Sequence, residues 1–354
     1  MDINLQASNR YDFKTLKFKY IDLFCGIGGF RIALDSLGHR CVFSSDWDRE
    51  AQLTYKENFG DLPEGDISKI PSPDIPSHDV LCAGFPCQPF SISGKQLGFE
   101  DVRGTLFYEI ARIAEYHQPK ILFLENVENL LRHDNGRTMK IIKDVLDKVN
   151  YRVFYNLINA SSFGVPQARK RIFFIAIRKD IDIRNFQFPR STYEPVSLSD
   201  ILLPDAETKH LIIKRDDITI ENKNLCKNIF GHYPQKPIRI GHVNKGGQGE
   251  RIYHELGHAI TLSAYGGGVG AKTGLYSING KVRKLHPEEC KRLMSFPENF
   301  KINKNPQQAY KQFGNAVVVK VVNNIFLKLM EDLKCQEEKK TQLSARSPRE
   351  LLLG

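Results

Sequence analysis

Residues 20–39 read YIDLFCGIGGFRIALDSLGH, and this stretch decides the fold. An apolar run that ends in glycines is followed by Phe30, Ala33, Leu34 and Leu37, which have the i, i+3, i+4, i+7 spacing of an amphipathic helix. The pattern therefore predicts a buried strand, a tight glycine turn and a helix, in that order. Such a unit typically opens a domain with a parallel sheet.

The same alternation continues to about residue 185. It predicts strands at CVFSSD, HDVLCAGFP, KILFLENV, YRVFYNLINA and RIFFIAI, and helices at DREAQLTYKENF, TLFYEIARIAEYH and TMKIIKDVLDKV. Strands that alternate with helices indicate an α/β fold with a doubly wound, mostly parallel sheet that is covered on both faces. Beyond residue 185 the chain is rich in Gly, Asn, His and Lys, which predicts a smaller, irregular domain. Helical patterning returns at HPEECKRLMSFP and NAVVVKVVNNIFLKLM.

These changes of pattern divide the chain into five parts. They are an N-terminal extension (1–17), a large α/β domain (18–185), a smaller domain (186–282), a return to the large domain that includes a C-terminal helix (283–333), and a polar tail that we expect to be mobile (334–354).

Composition limits the class of protein. With 41% hydrophobic and 26% charged residues the chain is ordinary for a globular protein, and it contains no run of eighteen apolar residues. We therefore expect no membrane span and a cytoplasmic location. Seven cysteines without a CxxC motif argue against a disulfide framework and against a metal site. The formal charge of +10 is a weak indication of a polyanionic partner.

A cysteine between prolines is the most unusual local feature. The stretch GFPCQPFSIS (84–93) places Cys87 between Pro86 and Pro89, which exclude a helix interior and a central strand. Cys87 therefore lies on a stiff loop that can direct its sulfur at a ligand. Glu125 in LENVENL ends a predicted strand, where an acid either caps the next helix or takes part in proton transfer.

The stretch QARKRIF carries Gln167, Arg169 and Arg171 on alternating positions. Such a run is either a solvated face or, because IFFIAI follows, the mouth of a buried strand. Positive charges there can stabilise a thiolate and hold a phosphate.

The glycine turn can hold a cofactor. Gly26, Gly28 and Gly29 fit either a simple tight turn or a turn that lets a ligand approach the helix N-terminus. After the second strand, Asp46 can accept from ribose hydroxyls and Trp47, the only tryptophan, can stack on adenine. Asp66 can accept from an exocyclic amine. Without a phosphate-binding lysine, these groups favour a nucleoside, and S-adenosylmethionine fits such a site.

Six motifs in this order resemble the DNA (cytosine-5) methyltransferases, most closely the bacterial restriction-modification members that recognise GCGC. The matching stretches are DLFCGIGG, GFPCQPFS, ENV, QARKR, RKLHPEECKRLMSFP and QFGNAVVVKV, within residues 18–330. The resemblance implies that 18–185 and 283–333 form a catalytic domain that binds S-adenosylmethionine without a metal, and that 186–282 form a target-recognition domain.

The resemblance also assigns roles to residues. It implies that Cys87 adds to C6 of a flipped-out cytosine, that Glu125 acts at N3 and the 4-amino group, and that Arg169 and Arg171 contact the base and the thiolate region. The implied cofactor residues are Phe24, Gly26, Gly28, Gly29, Asp46, Trp47, Asp66, Ile67, Asn315 and Val317. The implied DNA-binding residues are Ser93, Gln248, Arg251, Thr261 and Tyr265.

In this family-based interpretation, Gln248 fills the space left by the flipped base and Arg251 reads a guanine of GCGC or of a longer site that contains it. Thr261 and Tyr265 would grip the backbone of the flipped nucleotide. The expected partner is double-stranded DNA, with a cognate restriction endonuclease acting separately and the enzyme itself working as a monomer.

Three alternatives remain at this point. A transfer RNA cytosine-5 methyltransferase would share the chemistry, but two glycine-rich loops suit a duplex groove better. A catalytically inactive DNA-binding regulator would lack the nucleophile, the acid or the glycines, which are all present. A nicotinamide dehydrogenase would explain the glycine turn but neither GFPCQPFS nor ENV.

Overall fold

The computed structural model describes residues 17–86, 105–192, 194–221 and 225–345, with side chains as far as residue 336. The predicted site residues Cys87 and Ser93 lie outside the described residues.

The large domain contains the strand and helix alternation that the sequence predicts. Its strands are β1 (Lys19–Leu23), β2 (Arg40–Ser45), β3 (Val80–Gly84), β4 (Ile121–Val127), β5 (Tyr151–Asn159), β6 (Gln167–Ala168) and β7 (Lys170–Arg178). Its helices are α1 (Gly29–Asp35), α2 (Arg49–Phe59), α3 (Leu106–His117) and α4 (Arg137–Lys148).

Six of these strands form one sheet in the order β2-β1-β3-β4-β7-β5. Strands β1 to β4 are parallel, whereas β7 is antiparallel to both of its neighbours, β4 and β5. The predicted doubly wound, mostly parallel sheet is confirmed, with β7 as its one reversed strand among those described. The reversal places Arg171, near the start of β7, opposite Val127 at the end of β4.

Side chains of the sheet alternate between two hydrophobic layers. On β4, Ile121 and Phe123 join the layer that contains α1 and α8 residues, whereas Leu122 and Leu124 join the layer that contains α3 and α4 residues. The predicted apolar face of α4 is buried in the second layer. Because Glu125 follows Phe123 by two residues, its side chain emerges on the first face.

The smaller domain is more regular than expected. Strands β8 (Thr219–Ile220), β9 (Arg239–His242), β10 (Arg251–His254), β12 (Leu275–Ile278) and β13 (Lys281–Arg283) form a five-stranded sheet with its own apolar cluster. Helix α5 (Asp205–Thr208) precedes it, and β11 (Ala259–Ile260) pairs with β6 of the large domain. Strands of two to four residues are too short to show alternation in the sequence. The predicted boundary at residue 282 falls inside β13.

The C-terminal part differs from the prediction in two places. It contains α6 (Pro287–Leu293), α7 (Pro306–Asn315) and α8 (Val319–Ala345). Helix α7 was not predicted, and α8 continues beyond the predicted boundary at residue 333. The stretch Pro306–Gln336 is long and apolar enough to cross a membrane by length and composition alone, yet 67% of its most apolar window is buried inside the protein. That burial is typical of a core helix.

Asp48 caps the N-terminus of helix α2 and also forms an ion pair with helix α7. The Oδ1 atom of Asp48 accepts from Glu50 N (3.0 Å) and Ala51 N (3.3 Å), and its Oδ2 accepts from Lys311 Nζ of α7 (2.6 Å). We expect Asp48→Ala to lower the free energy of unfolding by about 1–2 kcal/mol, because a helix cap and an ion pair are lost together. Urea denaturation at pH 7 measures this difference.

The pH dependence of the same variant provides a second check. Partial burial opposes the shift, but hydrogen bonds from Lys311 and from backbone N–H groups lower the pKa of Asp48 below its ordinary value of 3.8. The stabilisation is therefore present above the pKa of the unfolded state and disappears as pH falls. We expect the two proteins to converge in stability at acidic pH. Asp182→Ala, which breaks the exposed pair with Arg184, should change stability by less than about 0.5 kcal/mol.

Candidate active site

The first glycine turn lies at the carboxyl ends of β1 and β3. Phe24 has a positive φ of 53°, which is uncommon for a residue with a side chain. A β-carbon on Gly28 would lie 2.4 Å from Phe59 Cε2, and one on Gly29 would lie 2.6 Å from Val317 Cγ2. A larger residue at either position would displace α2 or the segment before α8. By contrast, Gly26 has open space where a side chain would be.

Asp46 connects the first glycine turn to the N-terminus of helix α2. Its Oδ2 accepts from Gly26 N (2.7 Å) and its Oδ1 accepts from Asp48 N (2.8 Å). Burial raises the pKa of Asp46, and the two backbone N–H groups oppose that shift. Each carboxylate oxygen keeps a second lone pair that can accept a further hydrogen bond.

The other two predicted nucleoside contacts, Trp47 and Asp66, differ in their exposure and hydrogen bonding. The Trp47 side chain is 82% exposed, so its ring face is free for stacking. Asp66 follows an isolated bridge between Ser45 and Glu64. Its Oδ1 accepts from Ser68 N and Ser68 Oγ, and these hydrogen bonds lower its pKa.

Ile67 directly follows Asp66 and begins a short 3-10 helix. Its side chain is buried in the second apolar layer, so a contact with a ligand would come from its backbone. Asn315, the last residue of α7, is exposed.

Val317 packs against both the first glycine turn and the neighbourhood of Glu125. A β-carbon on Gly84 would lie 3.7 Å from Glu125 Oε2 and 4.0 Å from both Val317 Cγ1 and Phe30 Cε2. Because Val317 also contacts Gly29, the carboxyl group of Glu125 lies on the same edge of the sheet as the glycine turn.

Glu125 and Arg171 form an ion pair at this edge. Arg171 Nε lies 3.1 Å from Glu125 Oε1, and their side chains are only 16% and 10% exposed. Burial raises the pKa of Glu125, and the charges of Arg171 and then Arg169 oppose the shift. A carboxyl group with a raised pKa can hydrogen-bond a heteroaromatic ring and supply a proton to it.

Asn126 fixes the backbone at Phe85, shortly before Cys87 in the chain. Its Nδ2 donates to the carbonyl oxygen of Phe85 (2.8 Å), two residues before Cys87, and its Oδ1 accepts from Val127 N (2.8 Å). This role of Asn126 was not predicted from the sequence. Its adjacency to Glu125 was the available signal, but an amide at a strand end fits many local hydrogen bonds.

Arg169 is buried, and its guanidinium donates to backbone carbonyl oxygens. Its Nη1 donates to the carbonyl oxygen of Leu262 (3.1 Å), and its Nη2 donates to those of Gly314 (3.0 Å) and Ala316 (2.7 Å). Burial and then the charge of Arg171 lower its pKa, while Glu125 opposes the shift. Arg171 is the arginine that pairs with Glu125, and the contact of Arg169 with the base stays a prediction.

Two glycine-rich loops of the smaller domain are packed on each other. Gly270 N donates to the carbonyl oxygen of Gly249 (2.7 Å), and a β-carbon on Gly249 would lie 2.3 Å from Gly267 O. Gln248 and Arg251, the predicted base-reading residues, are exposed beside this contact.

The two residues predicted to grip the nucleotide backbone lie in the adjoining segment. Tyr265 is 80% exposed, whereas the Thr261 hydroxyl donates to the carbonyl oxygen of Ala168 (2.6 Å) and so joins this segment to the large domain.

These residues fit S-adenosylmethionine. The open space at Gly26 admits a ligand to the backbone, the exposed indole of Trp47 offers a stacking face, and Asp46 offers acceptors between them. The fold and the site together define an α/β enzyme that binds a nucleoside-type ligand beside a buried acid.

The chain belongs to the C-5 cytosine-specific DNA methylase family, whose model matches residues 18–331. It is therefore a methyltransferase that acts on cytosine in DNA, which excludes the dehydrogenase alternative. The chain is 52% identical over 307 residues to the type II methyltransferase M.HhaI of Haemophilus parahaemolyticus, covering 87% of this chain and 92% of that protein. It is 41% identical to M.HpaII of Haemophilus parainfluenzae, covering 90% of each.

Solved structures share the fold at low sequence identity. The Entamoeba histolytica methyltransferase EhMeth superposes with a TM-score of 0.68 at 20% identity, over 90% of this chain and 99% of that one. The S. pombe Dnmt2 methyltransferase gives a TM-score of 0.65 at 18% identity, with the same coverage.

Proposed function

We propose that the protein methylates C5 of a flipped-out cytosine in duplex DNA by covalent catalysis from Cys87, with S-adenosylmethionine as methyl donor. The observation that carries this proposal is the Glu125–Arg171 pair at the carboxyl edge, beside a nucleophile loop whose start is held by Asn126. When bound, S-adenosylmethionine supplies an electrophilic methyl group.

Cys87 and Glu125 act on different atoms of the cytosine ring. The Cys87 thiolate forms a bond to C6, and the electron pair of the C5–C6 double bond moves toward C5 while Glu125 protonates or hydrogen-bonds N3. C5 then takes the methyl group. The C5 proton then passes to water, the C5–H electron pair re-forms the C5–C6 double bond, and the C6–S bond breaks so that the sulfur leaves as thiolate. Arg171 holds Glu125 in place and balances its charge whenever it is ionised.

The target must leave the duplex for this chemistry, since a stacked cytosine exposes neither face of its ring. Unstacking costs a few kcal/mol, which contacts to the pocket and the phosphates offset. The formal charge of +10 supports such phosphate contacts.

For the recognised sequence we propose GCGC or a site that contains it. Gln248 would fill the space left by the cytosine, Arg251 would read a guanine, and Thr261 and Tyr265 would hold the backbone. The exposed positions of Gln248 and Arg251 on joined glycine loops support this assignment.

The contact between the two loops leads to a prediction for Gly249. Its φ is +81°, and a β-carbon there would overlap Gly267 O, so Gly249→Ala should separate the loops. We expect about 10- to 100-fold weaker binding of a GCGC duplex, which corresponds to about 1–3 kcal/mol of overpacking. Gly267→Ala is the matched control, because its β-carbon meets open space. Equal losses in the two variants would contradict the explanation by packing.

A base-resolution map of 5-methylcytosine tests the proposal as a whole. Plasmid DNA from cells that express the protein is compared with DNA from cells that express Cys87→Ala. Methylation of one cytosine in GCGC supports the reaction, the substrate and the recognition loops together. Methylation at another sequence would retain the enzyme and reject the roles of Gln248 and Arg251. An unmethylated plasmid, with modified transfer RNA from the same cells, would overturn the choice of substrate.

We further propose that the protein works as a cytoplasmic monomer that protects host DNA from a separate endonuclease. Its type II relatives support this context. Sedimentation of the protein with and without a duplex tests the monomer.

A further inference from the structure

Arg169 joins two segments that serve different ligands in the proposed function. On one side it donates to Leu262, which lies in the segment from Thr261 to Tyr265. On the other side it donates to Gly314 and Ala316, immediately before Val317. The first segment is assigned to DNA, and the second leads to the wall of the cofactor site.

These segments also touch each other directly. A β-carbon on Gly314 would lie 2.3 Å from Ala264 N and 2.5 Å from the Ser263 carbonyl carbon, so the two backbones are in close contact. Leu262 N donates to Gln167 Oε1 (3.1 Å), which fixes the recognition segment to the strand that precedes Arg169. A shift of either segment must therefore be shared with the other.

Helix α7 provides a second connection between the smaller domain and the predicted cofactor residues. Lys272 Nζ, from the smaller domain, donates to Gln307 O (3.0 Å) and Oε1 (3.1 Å). One turn further along α7, Lys311 pairs with Asp48 (2.6 Å), which follows Trp47 in the chain. The smaller domain and the residue that follows Trp47 thus contact neighbouring turns of one helix.

The position of Arg169 is not explained by contact with substrate. The side chain is 2% exposed, and its guanidinium reaches three carbonyl oxygens in two segments that are far apart in sequence. Of the three guanidinium nitrogens of Arg169, Nε alone is buried without a hydrogen-bond partner. A planar fork of donors can bridge such carbonyls, whereas a lysine offers a single nitrogen atom.

We propose that Arg169 is a positioning residue that couples DNA recognition to cofactor binding, by holding the Leu262 segment and the Gly314–Ala316 segment in one arrangement. The inference rests on the proposed function, because that function assigns the two ligands to the two segments. Coupling between two binding sites is reciprocal, so each ligand must raise the affinity for the other by the same factor.

The test uses the full-length protein with S-adenosylhomocysteine, which lacks the transferable methyl group. Calorimetry gives its dissociation constant with and without a GCGC duplex, and the ratio is the coupling factor. For the wild type we expect a factor of at least about 5. Arg169→Lys should reduce it to below about 2, while the affinity for S-adenosylhomocysteine alone changes less than about threefold. The conservative control Arg178→Lys, at the far end of β7, should keep the wild-type factor.

The outcomes separate the inference from the proposed function. A wild type that methylates GCGC but shows no coupling overturns the inference alone. So does an Arg169→Lys variant that keeps full coupling, or one that loses both affinities equally with an unchanged ratio, since a purely structural role would do that. A wild type that binds neither ligand would overturn the proposed function.

A second measurement needs no substitution. Hydrogen exchange of the wild type should show that S-adenosylhomocysteine alone protects amides of 261–264, and that a GCGC duplex alone protects those of 314–318. Protection confined to the segment next to each ligand would overturn the coupling even if Arg169→Lys fails to fold.

Discussion

Cys87→Ala is expected to remove methyl transfer, with a fall in kcat on the order of 10⁵ or more, as for other enzymes that lose a covalent nucleophile. Alanine keeps the small volume and the flanking prolines but cannot form a bond to C6. Without that bond, C5 of cytosine has no carbanion character. Transfer of a tritiated methyl group to GCGC duplex measures the loss, and unchanged turnover would reject the covalent mechanism.

Two controls isolate the chemistry from binding. The Cys87→Ala protein should retain affinity for the duplex within about threefold, since the substitution removes only one side-chain sulfur atom. Cys226→Ala removes an exposed thiol in the smaller domain and should leave turnover intact. A duplex with 5-fluorocytosine at the target should form an adduct that survives denaturation with the wild type but not with Cys87→Ala, because fluorine at C5 cannot leave as a proton does.

Glu125→Gln is expected to lower kcat by about 10²–10⁴, the usual contribution of a positioned acid. Glutamine preserves the shape and the hydrogen bond to Arg171 but cannot supply a proton to N3. Single-turnover rates with saturating duplex measure the chemical step directly. Because the affinity for DNA depends little on this group, we expect the dissociation constant to stay within about fivefold of the wild type.

The pH profile identifies the acid. Burial raises the pKa of Glu125, and the protonated form is the one that donates, so activity should fall as pH rises through that pKa. Glu125→Gln should lose the falling limb. Glu128→Gln, an exposed neighbour 3.8 Å from Lys170, should keep both the rate and the profile.

Most of the large domain follows from local pattern. The strand, turn and helix of residues 20–39 appear as predicted, because the glycines and the apolar spacing both act over a few residues. The direction of β7 could not be predicted, since an apolar strand reads the same in either direction. Helix α7 was missed because its apolar face is sparse, although Asn305 followed by Pro306 is a recognised start signal.

The residues of the candidate site also fall into two groups, those that the sequence marks and those that only the tertiary structure distinguishes. Glu125 and the glycines were predicted because strand ends and turns mark them. Arg169 and Arg171 look equivalent in the sequence, two residues apart on one strand. Only the tertiary structure separates them: Arg171 faces Glu125, whereas carbonyls from residues 262, 314 and 316 surround Arg169.

The contact between Gly249 and Gly267 also constrains how such an enzyme can acquire a new target. Because each loop forms part of the surface on which the other rests, a substitution that reshapes one loop alone leaves its partner without support. We therefore expect variation in the recognised site to arise through paired changes around residues 244–250 and 265–270. In gene exchange between strains, these two stretches would have to be inherited as one block.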